Sequence, residues 1–390
     1  MSDFAQSGLI CTLQRLNDSH FAQIEAELVD LAAERPIVLV LPCHGAELER
    51  PALRHICEEL SGATWLHEVI VSMNGLGPDG VVRAREFFSR LPQRVRILWN
   101  DGATMREPIA NLLGCAPEKI PHGKGLNVWA AIGVAMQETK ASLIATQDCD
   151  VTSFRRSSLA RLCYACVHPH LGFAFAKMYY SRVTDRLYGR VSRLFLAPLL
   201  QALLRVSGHQ PLLDFLLSFR YPLAGECAMA RESAVALELS PGWGLEIGML
   251  SELFRMVDPR KVCQVDGGSG YDHKHQPVEL GLLDMCRQIT VALFAQLAAE
   301  GMTSTPSFHE AVAAAYRRES ALALRRSAAL ALINGLPFDE AGEEQIVRAF
   351  AGVLETPVNP LPILPLPAWS RLLVKKPSEW GEFFEAASRW

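Results

Sequence analysis

Short apolar segments alternate with segments of helical periodicity through the first part of this chain. The segments with the Val and Ile content of buried strands are residues 36–42 (PIVLVLP), residues 67–73 (HEVIVSM), Arg94–Trp99 and Leu143–Thr146. The helical patterns between them cover residues 47–60, 81–91 and 124–136. Such alternation predicts an α/β fold with a mostly parallel sheet and helices on both faces. Ligands of such sheets bind at the carboxyl ends of the strands.

The composition is that of an ordinary globular protein. Hydrophobic residues make up 49% of the 390 residues and charged residues 21%, which suffices for one large domain or a domain with an appendage. The formal net charge of -4 provides no field that attracts nucleic acid, so we expect no nucleic-acid partner. Long Ala/Leu/Arg/Glu patterns begin after about residue 277. We therefore predict an α/β domain over residues 1–280 and a helical C-terminal subdomain over residues 281–390, which would form the surface of a homodimer.

The 10 cysteines are scattered through apolar segments, unlike those of small disulfide-stapled secreted domains. Cys163 and Cys166 lie in an apolar helical pattern, which does not suit a structural zinc site. The N-terminal segment MSDFAQSGLI lacks the basic and apolar regions of a signal peptide. The most apolar helical candidate, LFLAPLLQALL from Leu194, is too short to span a bilayer. We therefore expect a reduced, cytoplasmic protein without a membrane span.

Two carboxylates, Asp148 and Asp150, follow the last of the four strand candidates and are separated by Cys149. Residues two apart in a strand face the same side, so both side chains are expected to converge on one object. Neighbouring anions repel each other unless a cation neutralises them, and oxygen ligands favour Mg²⁺ or Mn²⁺, which commonly bind substrate phosphates. The pair therefore indicates a divalent-metal site. The alternative is a solvated turn or a cap for the next helix.

Two further loops carry side chains suited to such a site. His122-Gly123-Lys124-Gly125 opens a helix, where glycines allow close backbone approach and a lysine favours an anion; a plain helix-entry loop is the alternative. His273, after a strand candidate at residues 262–265, is placed to supply a third metal ligand, and a polar surface loop is the alternative there. The sequence contains no Gly-x-Ser-x-Gly elbow and no His-Glu-x-x-His motif, which argues against a hydrolase.

The order of these motifs resembles that of a known family. The motifs are Pro42 at the first strand end, Asn74 after the second strand, Gly123-Lys124-Gly125, Asp148-Cys149-Asp150, PLAGE at residues 222–226, GWGLEIG at residues 242–248, and His273. This order resembles the retaining GT-A glycosyltransferases that make glucosyl-3-phosphoglycerate from UDP-glucose and 3-phosphoglycerate. Mannosylglycerate and mannosyl-3-phosphoglycerate synthases look like neighbouring relatives. The resemblance covers roughly residues 36–278 and implies a GT-A fold that binds a nucleotide-diphosphate sugar and a small anionic acceptor.

The resemblance also implies roles for individual residues. Asp150 and His273 would hold the divalent metal, Mg²⁺ or Mn²⁺. The residues implied to bind the nucleotide sugar are Pro42, Cys43, His44, Glu47, Asn74, Lys124 and Asp148. The residues implied to bind the acceptor are Gly189, Arg190, Ser192 and His275, the first three in a segment from Tyr188 that is similar to the family's acceptor-site helix. Glu246 would orient a substrate, and the backbone of Leu223 would lie beside the anomeric carbon.

The implied activity is transfer of a hexose with retention of configuration, with glucose from UDP-glucose favoured over mannose from GDP-mannose. Two departures from the family's pattern bear on the substrates. Residues 43–47 read CHGAE in place of Asn-Glu-Glu, which leaves Glu47 as the acidic candidate for the base contact. Tyr271 and His275 stand where the family carries an arginine and an asparagine near the acceptor phosphate, so glycerate or another small hydroxy acid is an alternative acceptor. A nucleotidyltransferase and a non-catalytic nucleotide-sugar sensor are the other compatible classes.

Overall fold

One mixed sheet of eight strands organises the described part of the chain. The computed structural model describes residues 6, 8–137, 141–270, 281–303, 305–355 and 365–389. The strands are β1 (Cys11–Leu13), β2 (Ile37–His44), β3 (Leu66–Asn74), β4 (Arg94–Trp99), β5 (Leu143–Thr146), β6 (Phe175–Ser181), β7 (Cys227–Ala230) and β8 (Val262–Ser269). Their order in the sheet is β1-β8-β6-β7-β5-β2-β3-β4. Only β7 among them runs antiparallel to its neighbours, so the predicted mostly parallel sheet is confirmed.

Helices cover both faces of this sheet and form most of the C-terminal third. The α-helices are α1 (Phe21–Glu34), α2 (Pro51–Leu60), α3 (Pro78–Phe88), α4 (Ala103–Leu113), α5 (Lys124–Gln137), α6 (Arg156–Val167), α7 (Ala197–Ser207), α8 (Pro211–Ser218), α9 (Arg231–Ala236), α10 (Leu245–Met256), α11 (Gly281–Ala299), α12 (Pro306–Ile333), α13 (Glu340–Glu355), α14 (Trp369–Lys375) and α15 (Pro377–Ser388). Short 3₁₀ turns occupy Gly45–Glu49, Pro117–Lys119 and Pro259–Lys261, and a π-helical turn, Val191–Leu196, leads into α7.

Strand β2 shows why the predicted runs become strands with helices on both faces. Its residues 37–41 are fully buried, and they alternate between two separate apolar clusters. Val38 and Val40 contribute to one cluster, whereas Ile37, Leu39 and Leu41 contribute to the other. A strand that is buried on both sides needs apolar residues at every position, which explains the continuous rather than alternating hydrophobic pattern.

The structure differs from the predicted elements where a proline sets a helix start and where a strand is very short. The helix predicted over residues 47–60 begins at Pro51, because a 3₁₀ turn precedes it and proline suits the first helical turn. The helix predicted from residue 81 begins at Pro78 for the same reason. Strands β1, β6 and β7 were not predicted. Strand β6 (FAKMYYS) contains a buried lysine, Lys177, which hides the apolar pattern, and β1 and β7 are only three and four residues long.

The C-terminal helices pack into the same apolar core as one face of the sheet. Trp369 of α14 stacks on Trp129 of α5 with ring centroids 4.4 Å apart, and its indole N–H donates to the carbonyl oxygen of Trp129. Trp129 in turn donates to the carbonyl oxygen of Pro367 at 2.8 Å. A Cβ atom on Gly133 would lie 2.1 Å from the Trp369 ring, so this glycine makes the stacking possible. The division at residue 280 stays a prediction, although a single core spans it.

Helix α11 is, in the part of the chain that the structure describes, the one helix with the length and apolar composition of a membrane span. Its side chains nevertheless take part in the protein core. Cys286, Ile289, Leu293 and Leu297 belong to the same apolar cluster as Trp369. These positions recur at every third or fourth residue, so α11 packs one apolar stripe against the core, while most of its other residues are half-buried or exposed.

We expect Trp369→Ala to lower the free energy of unfolding by about 3–5 kcal/mol, because a fully buried indole leaves a cavity between α5, α14 and α15. Urea unfolding followed by circular dichroism measures the change. Val374→Ala on the same helix is the matched control, since Val374 is 82% exposed and its truncation should change stability by less than about 0.5 kcal/mol. Equal effects of the two substitutions would contradict the docking of α14.

Candidate active site

The carboxyl ends of the neighbouring strands β2, β3 and β5 meet at one edge of the sheet. His44 at the end of β2 pairs in register with Asn74 at the end of β3, and Thr146, the last residue of β5, pairs with Val40 of β2. A first cavity of about 500 Å³ opens over this edge. Every residue implied to bind the nucleotide sugar lines it: Pro42, Cys43, His44, Glu47, Asn74, Lys124 and Asp148. The strand ends therefore gather residues that are more than a hundred positions apart in sequence, and their individual roles stay predictions.

A second cavity adjoins the first and contains most of the other predicted side chains. Gly189, Arg190, Ser192, Leu223 and Glu246 line it. Lys124, Asp148, Asp150 and Trp243 line both cavities, so the two spaces meet at the carboxylate pair. Trp243 and the tyrosines of the second cavity, Tyr180 and Tyr221, were not predicted individually. The GWGLEIG segment was the only sequence signal for Trp243.

The two carboxylates have different surroundings, contrary to the expected strand geometry. Strand β5 ends at Thr146, so Asp148 and Asp150 lie in the loop that follows the strand, and the alternation argument was wrong. Both carboxylates of the pair still face the junction of the cavities. Asp148 forms an ion pair with Lys124, with Nζ 2.6 Å from Oδ1 and 2.9 Å from Oδ2. Asp148 is thus an ion-pair partner of Lys124, and the two carboxylates can have different roles in the site.

Lys124 is held between two acids. In addition to Asp148, its Nζ atom donates to Oε1 of Glu246 at 3.0 Å, from the first turn of α10. Burial by itself lowers the pKa of Lys124, but the charges of Asp148 and Glu246 outweigh it and raise the pKa well above its ordinary value. Lys124 therefore stays protonated and ties β5, α5 and α10 together at the site. Gly225 leaves room for the pair, because a Cβ atom there would lie 2.2 Å from Nζ.

The glycines on either side of Lys124 serve the packing of the protein itself. The N–H group of Gly125 donates to the carbonyl oxygen of Pro241 at 2.9 Å, and a Cβ atom on Gly125 would lie 1.9 Å from the carbonyl oxygen of Ser240. Gly123 has a φ of +124°, which favours glycine. The expected close backbone approach therefore exists, but at Gly125 the approaching group is the loop before Gly242. Lys124 remains the group of this motif that points into both cavities.

Buried polar side chains hold the loop that carries Leu223. Lys177 of β6 donates to the carbonyl oxygen of Ala224, and Thr146 Oγ1 donates to that of Gly225 at 2.7 Å. The phenol of Tyr180 donates to the fully buried carboxylate of Glu226 at 3.0 Å. Burial lowers the pKa of Lys177. These contacts fix the backbone at Leu223, and no motif identified Lys177 or Thr146 as part of the site.

A carboxylate from the C-terminal helices holds the predicted acceptor arginine. Arg190 Nε lies 2.7 Å from Oε1 of Glu343, a buried residue of α13, and Arg193 contacts the same carboxylate. Glu343 follows Arg190 by 153 positions, so no local pattern could connect them. The second cavity therefore depends on the packing of α13 against the π-helical turn.

Two predicted ligands, His273 and His275, lie outside the described residues. Within the described residues, no cluster of three or more His, Cys, Asp or Glu side chains is arranged to hold a metal ion. Asp150 nevertheless places a carboxylate where the cavities meet, while Asp148 is engaged by Lys124. Carboxylate oxygens fit Mg²⁺ or Mn²⁺ when substrate phosphates complete the coordination shell. The donor set is thus compatible with the predicted metal site, to which Asp150 would contribute.

We expect Lys124→Met to lower the free energy of unfolding by about 3 kcal/mol, because it leaves Asp148 and Glu246 without their cation. Since the pKa of Lys124 is raised above 10.5, its contribution is present below that pH and is lost only as the pH rises through the folded-state value. Urea unfolding at pH 7 and pH 9 should therefore give the same deficit. Lys375→Met, at an exposed position, is the control, and an equal deficit there would contradict the assignment.

Similar proteins point to one family. No protein-family model matches the chain. The glucosyl-3-phosphoglycerate synthase of Persephonella marina is 35% identical over 386 residues, covering 97% of this chain and 96% of that protein. The enzyme of the same name from Methanococcoides burtonii is 32% identical over 378 residues, covering 93% and 92%. These alignments run through both cavities and into the C-terminal helices.

A solved structure shares the fold of this chain. The glucosyl-3-phosphoglycerate synthase of Mycobacterium tuberculosis, in complex with Mn²⁺, UDP and phosphoglyceric acid, superposes with a TM-score of 0.56. The superposition covers 76% of this chain and 88% of that one at 24% identity, which shows the fold. The fold, and the 35% identity over 97% of this chain, agree with the family that the order of the motifs indicated. The chain belongs to the glucosyl-3-phosphoglycerate synthase family.

Proposed function

We propose that this protein transfers glucose from UDP-glucose to 3-phosphoglycerate, with retention of configuration at the anomeric carbon. The observation that carries the proposal is that two cavities meet at Lys124, Asp148 and Asp150. The chain also aligns along nearly its whole length with a glucosyl-3-phosphoglycerate synthase. One cavity would hold the nucleotide sugar and the other the acceptor. The transferred sugar would then lie where the two cavities meet.

The ligands present in solved structures of the same fold agree with the proposed substrates. Structures of the Mycobacterium tuberculosis synthase contain Mn²⁺, UDP-glucose and phosphoglyceric acid together, or Mg²⁺ and UDP. A further one contains Mn²⁺, UDP and glucosyl-3-phosphoglycerate. We propose that Pro42, Cys43, His44 and Glu47 line the uracil side of the first cavity here, with Asn74 and Asp148 nearer the ribose and sugar.

Asp150 and His273 are the proposed protein ligands of the divalent metal. A bound divalent cation would neutralise negative charge that develops on the departing diphosphate, which commonly supplies a large part of the barrier reduction. Asp150 is assigned this role because its carboxylate lies where the two cavities meet, and Asp148, which pairs with Lys124, is assigned to the donor sugar. Lys124 itself adds a permanent positive charge on the donor side.

The proposed reaction is a same-face displacement. The bond between the anomeric carbon and the diphosphate oxygen breaks, the acceptor hydroxyl oxygen bonds to that carbon, and the leaving phosphate takes the hydroxyl proton. A double displacement would need a carboxylate nucleophile at the anomeric carbon. Glu246 is the candidate in position, but its ion pair with Lys124 favours an orienting role. The backbone of Leu223, fixed by Lys177 and Thr146, would face the anomeric carbon.

The acceptor would lie in the second cavity beside Gly189, Arg190 and Ser192, with His275 as a further predicted contact. Gly189 has a φ of +73°, so glycine suits this turn into the π-helical segment. The planar fork of an arginine suits phosphate and carboxylate oxygens. Because Arg190 also pairs with Glu343, its orientation toward the cavity is fixed before any ligand arrives.

We also propose that the protein is a cytoplasmic homodimer. The 10 cysteines are all free thiols and most are buried, as expected in a reducing compartment. Leu330, Leu332 and Ile333 at the end of α12 are 53%, 83% and 85% exposed, and a second copy could cover them. Sedimentation equilibrium measures the mass, and a monomer at micromolar concentration would contradict the dimer.

The proposed activity is tested by one substrate panel. UDP-glucose, GDP-mannose and GDP-glucose are each offered with 3-phosphoglycerate or glycerate, with and without a chelator, and products are identified by mass spectrometry. We expect glucosyl-3-phosphoglycerate from UDP-glucose and 3-phosphoglycerate, in the α configuration of the donor by NMR, and loss of product with chelator. Pyrophosphate release would indicate a nucleotidyltransferase instead, and UDP-glucose binding without turnover would indicate a sensor.

Changing Asp150 to Asn should lower metal-dependent transfer by about 100-fold or more, because the carboxylate at the junction loses its charge. Mn²⁺ binding in the presence of UDP, followed by electron paramagnetic resonance, should weaken in parallel. Asp79→Asn, on the exposed first turn of α3, is the matched control and should leave both measurements unchanged. Full activity and normal Mn²⁺ binding in the Asp150 variant would remove Asp150 from the metal site.

A further inference from the structure

The second cavity has several arginines around it, and most of them have a carboxylate partner. Arg190 and Arg193 share the buried carboxylate of Glu343. Arg186, which is exposed, lies 3.7 Å from the carboxylate of Asp185. A buried carboxylate that contacts two guanidinium groups offsets about half of their charge. The cationic groups that first suggest an acceptor site are therefore partly neutralised by the protein itself.

Arg182 differs from these arginines in its hydrogen bonding. It follows β6 and lines the second cavity. Its guanidinium group donates to the phenol of Tyr221, and burial raises the pKa of that phenol, so the partner is neutral at physiological pH. The Nε atom of Arg182 is buried and, within the described residues, has no hydrogen-bond acceptor. Its donor capacity is thus not saturated by the described protein atoms.

The position of Arg182 places it over the predicted acceptor motif. A Cβ atom on Gly189 would lie 3.8 Å from Cδ of Arg182, and the backbone N–H of Tyr188 donates to the carbonyl oxygen of Arg182 at 2.9 Å. Tyr221 also hydrogen-bonds to Ser192, so Arg182 is joined through one phenol to a predicted acceptor residue. Side chain and backbone contacts therefore hold Arg182 against the Gly189–Ser192 turn before any substrate binds.

Arg182 keeps its positive charge although its side chain is partly buried. Burial by itself disfavours its charge, but its surroundings keep the guanidinium protonated. The charge of Asp150 raises the pKa of Arg182 less than its interactions with Tyr221 and Tyr180 do, and Lys124 engages Asp148 and Glu246 directly. A guanidinium with an open donor in a partly buried cavity forms its strongest hydrogen bonds with phosphate or carboxylate oxygens.

We propose that Arg182 binds an anionic group of the acceptor and is a specificity-determining residue of the second cavity. The proposal rests on the proposed function, since it assumes that the acceptor occupies this cavity. It adds Arg182 to Arg190, whose positive charge is partly offset by Glu343. Phosphate and carboxylate oxygens accept the same hydrogen bonds from the guanidinium group. Comparing acceptors that carry one or both groups therefore shows which of them Arg182 binds.

The test is steady-state kinetics of the full chain and its Arg182→Gln variant with UDP-glucose and Mn²⁺. The KM for 3-phosphoglycerate should rise about 10- to 100-fold, the range for losing a charge-assisted hydrogen bond, while the KM for UDP-glucose changes less than about threefold. Glycerol 3-phosphate and glycerate are run as inhibitors or acceptors. Weakening confined to the two phosphorylated compounds assigns Arg182 to phosphate, and weakening confined to the two carboxylates assigns it to the carboxylate.

Two matched variants separate binding from folding. Arg260→Gln removes the same charge from an exposed, acid-paired arginine that lines neither cavity and should raise the acceptor KM no more than about threefold, because solvent screens it. Arg182→Lys keeps the charge but not the fork and should fall between wild type and Arg182→Gln. The melting temperature of Arg182→Lys should match that of the wild type. If Arg182→Gln fails to fold, Arg182→Lys therefore still tests the proposal.

The outcomes distinguish this proposal from the proposed function. If the wild-type protein forms no product from UDP-glucose and 3-phosphoglycerate, the proposed function fails. If the wild type is active and neither Arg182 variant changes the acceptor KM, the assignment of Arg182 is overturned. A selective rise in the KM for UDP-glucose would also overturn it, because Arg182 would then belong to the donor diphosphate.

Discussion

The site depends on one partly buried cation, Lys124, and its two carboxylate partners. Lys124 contacts Asp148 after β5 and Glu246 at the start of α10, so a single ion-paired group connects three elements that belong to different parts of the sequence. Two acids and one lysine also leave a net negative charge beside Asp150, a setting that favours a divalent cation. Gly225 is the complementary constraint, because any side chain there would collide with the pair. Both cavities take their shared wall from this arrangement.

The loop of Leu223 and the turn of Gly189 are fixed by polar groups that lie deeper than the cavities. Lys177 and Thr146 bind successive carbonyl oxygens of the Leu223 loop, and Glu343 binds the two arginines of the π-helical turn. Buried charges of this kind cost desolvation energy, which the protein offsets by pairing each of them. The result is a preorganised site on rigid elements, which is what a transfer reaction between two bound substrates requires.

Much of the fold could be predicted because the hydrophobic pattern of strands and helices, and the loop residues between them, are local properties of the sequence. The apolar runs became β2, β3, β4 and β5, and the motif order led to the right family. Boundaries failed where Pro51 and Pro78 set the helix starts. Strand β6 was missed because a lysine interrupts its apolar pattern, and the alternation argument for the carboxylates failed because β5 ends two residues before Asp148. The helix starts follow from the local effect of proline, whereas the missed strand β6 reflects a tertiary partner, the carbonyl oxygen of Ala224 that Lys177 binds.

By itself, the sequence determined the alternating α/β architecture, the family, and the residue types from which a nucleotide-sugar site can be built. These follow from local hydrophobic periodicity and from the order of short motifs. Only the tertiary structure decided which charges neutralise one another: Lys124 with Asp148 and Glu246, and Arg190 with Glu343 across 153 positions. Ion pairing depends on distances of a few ångström in space, and such distances arise only once the sheet and the C-terminal helices have packed together.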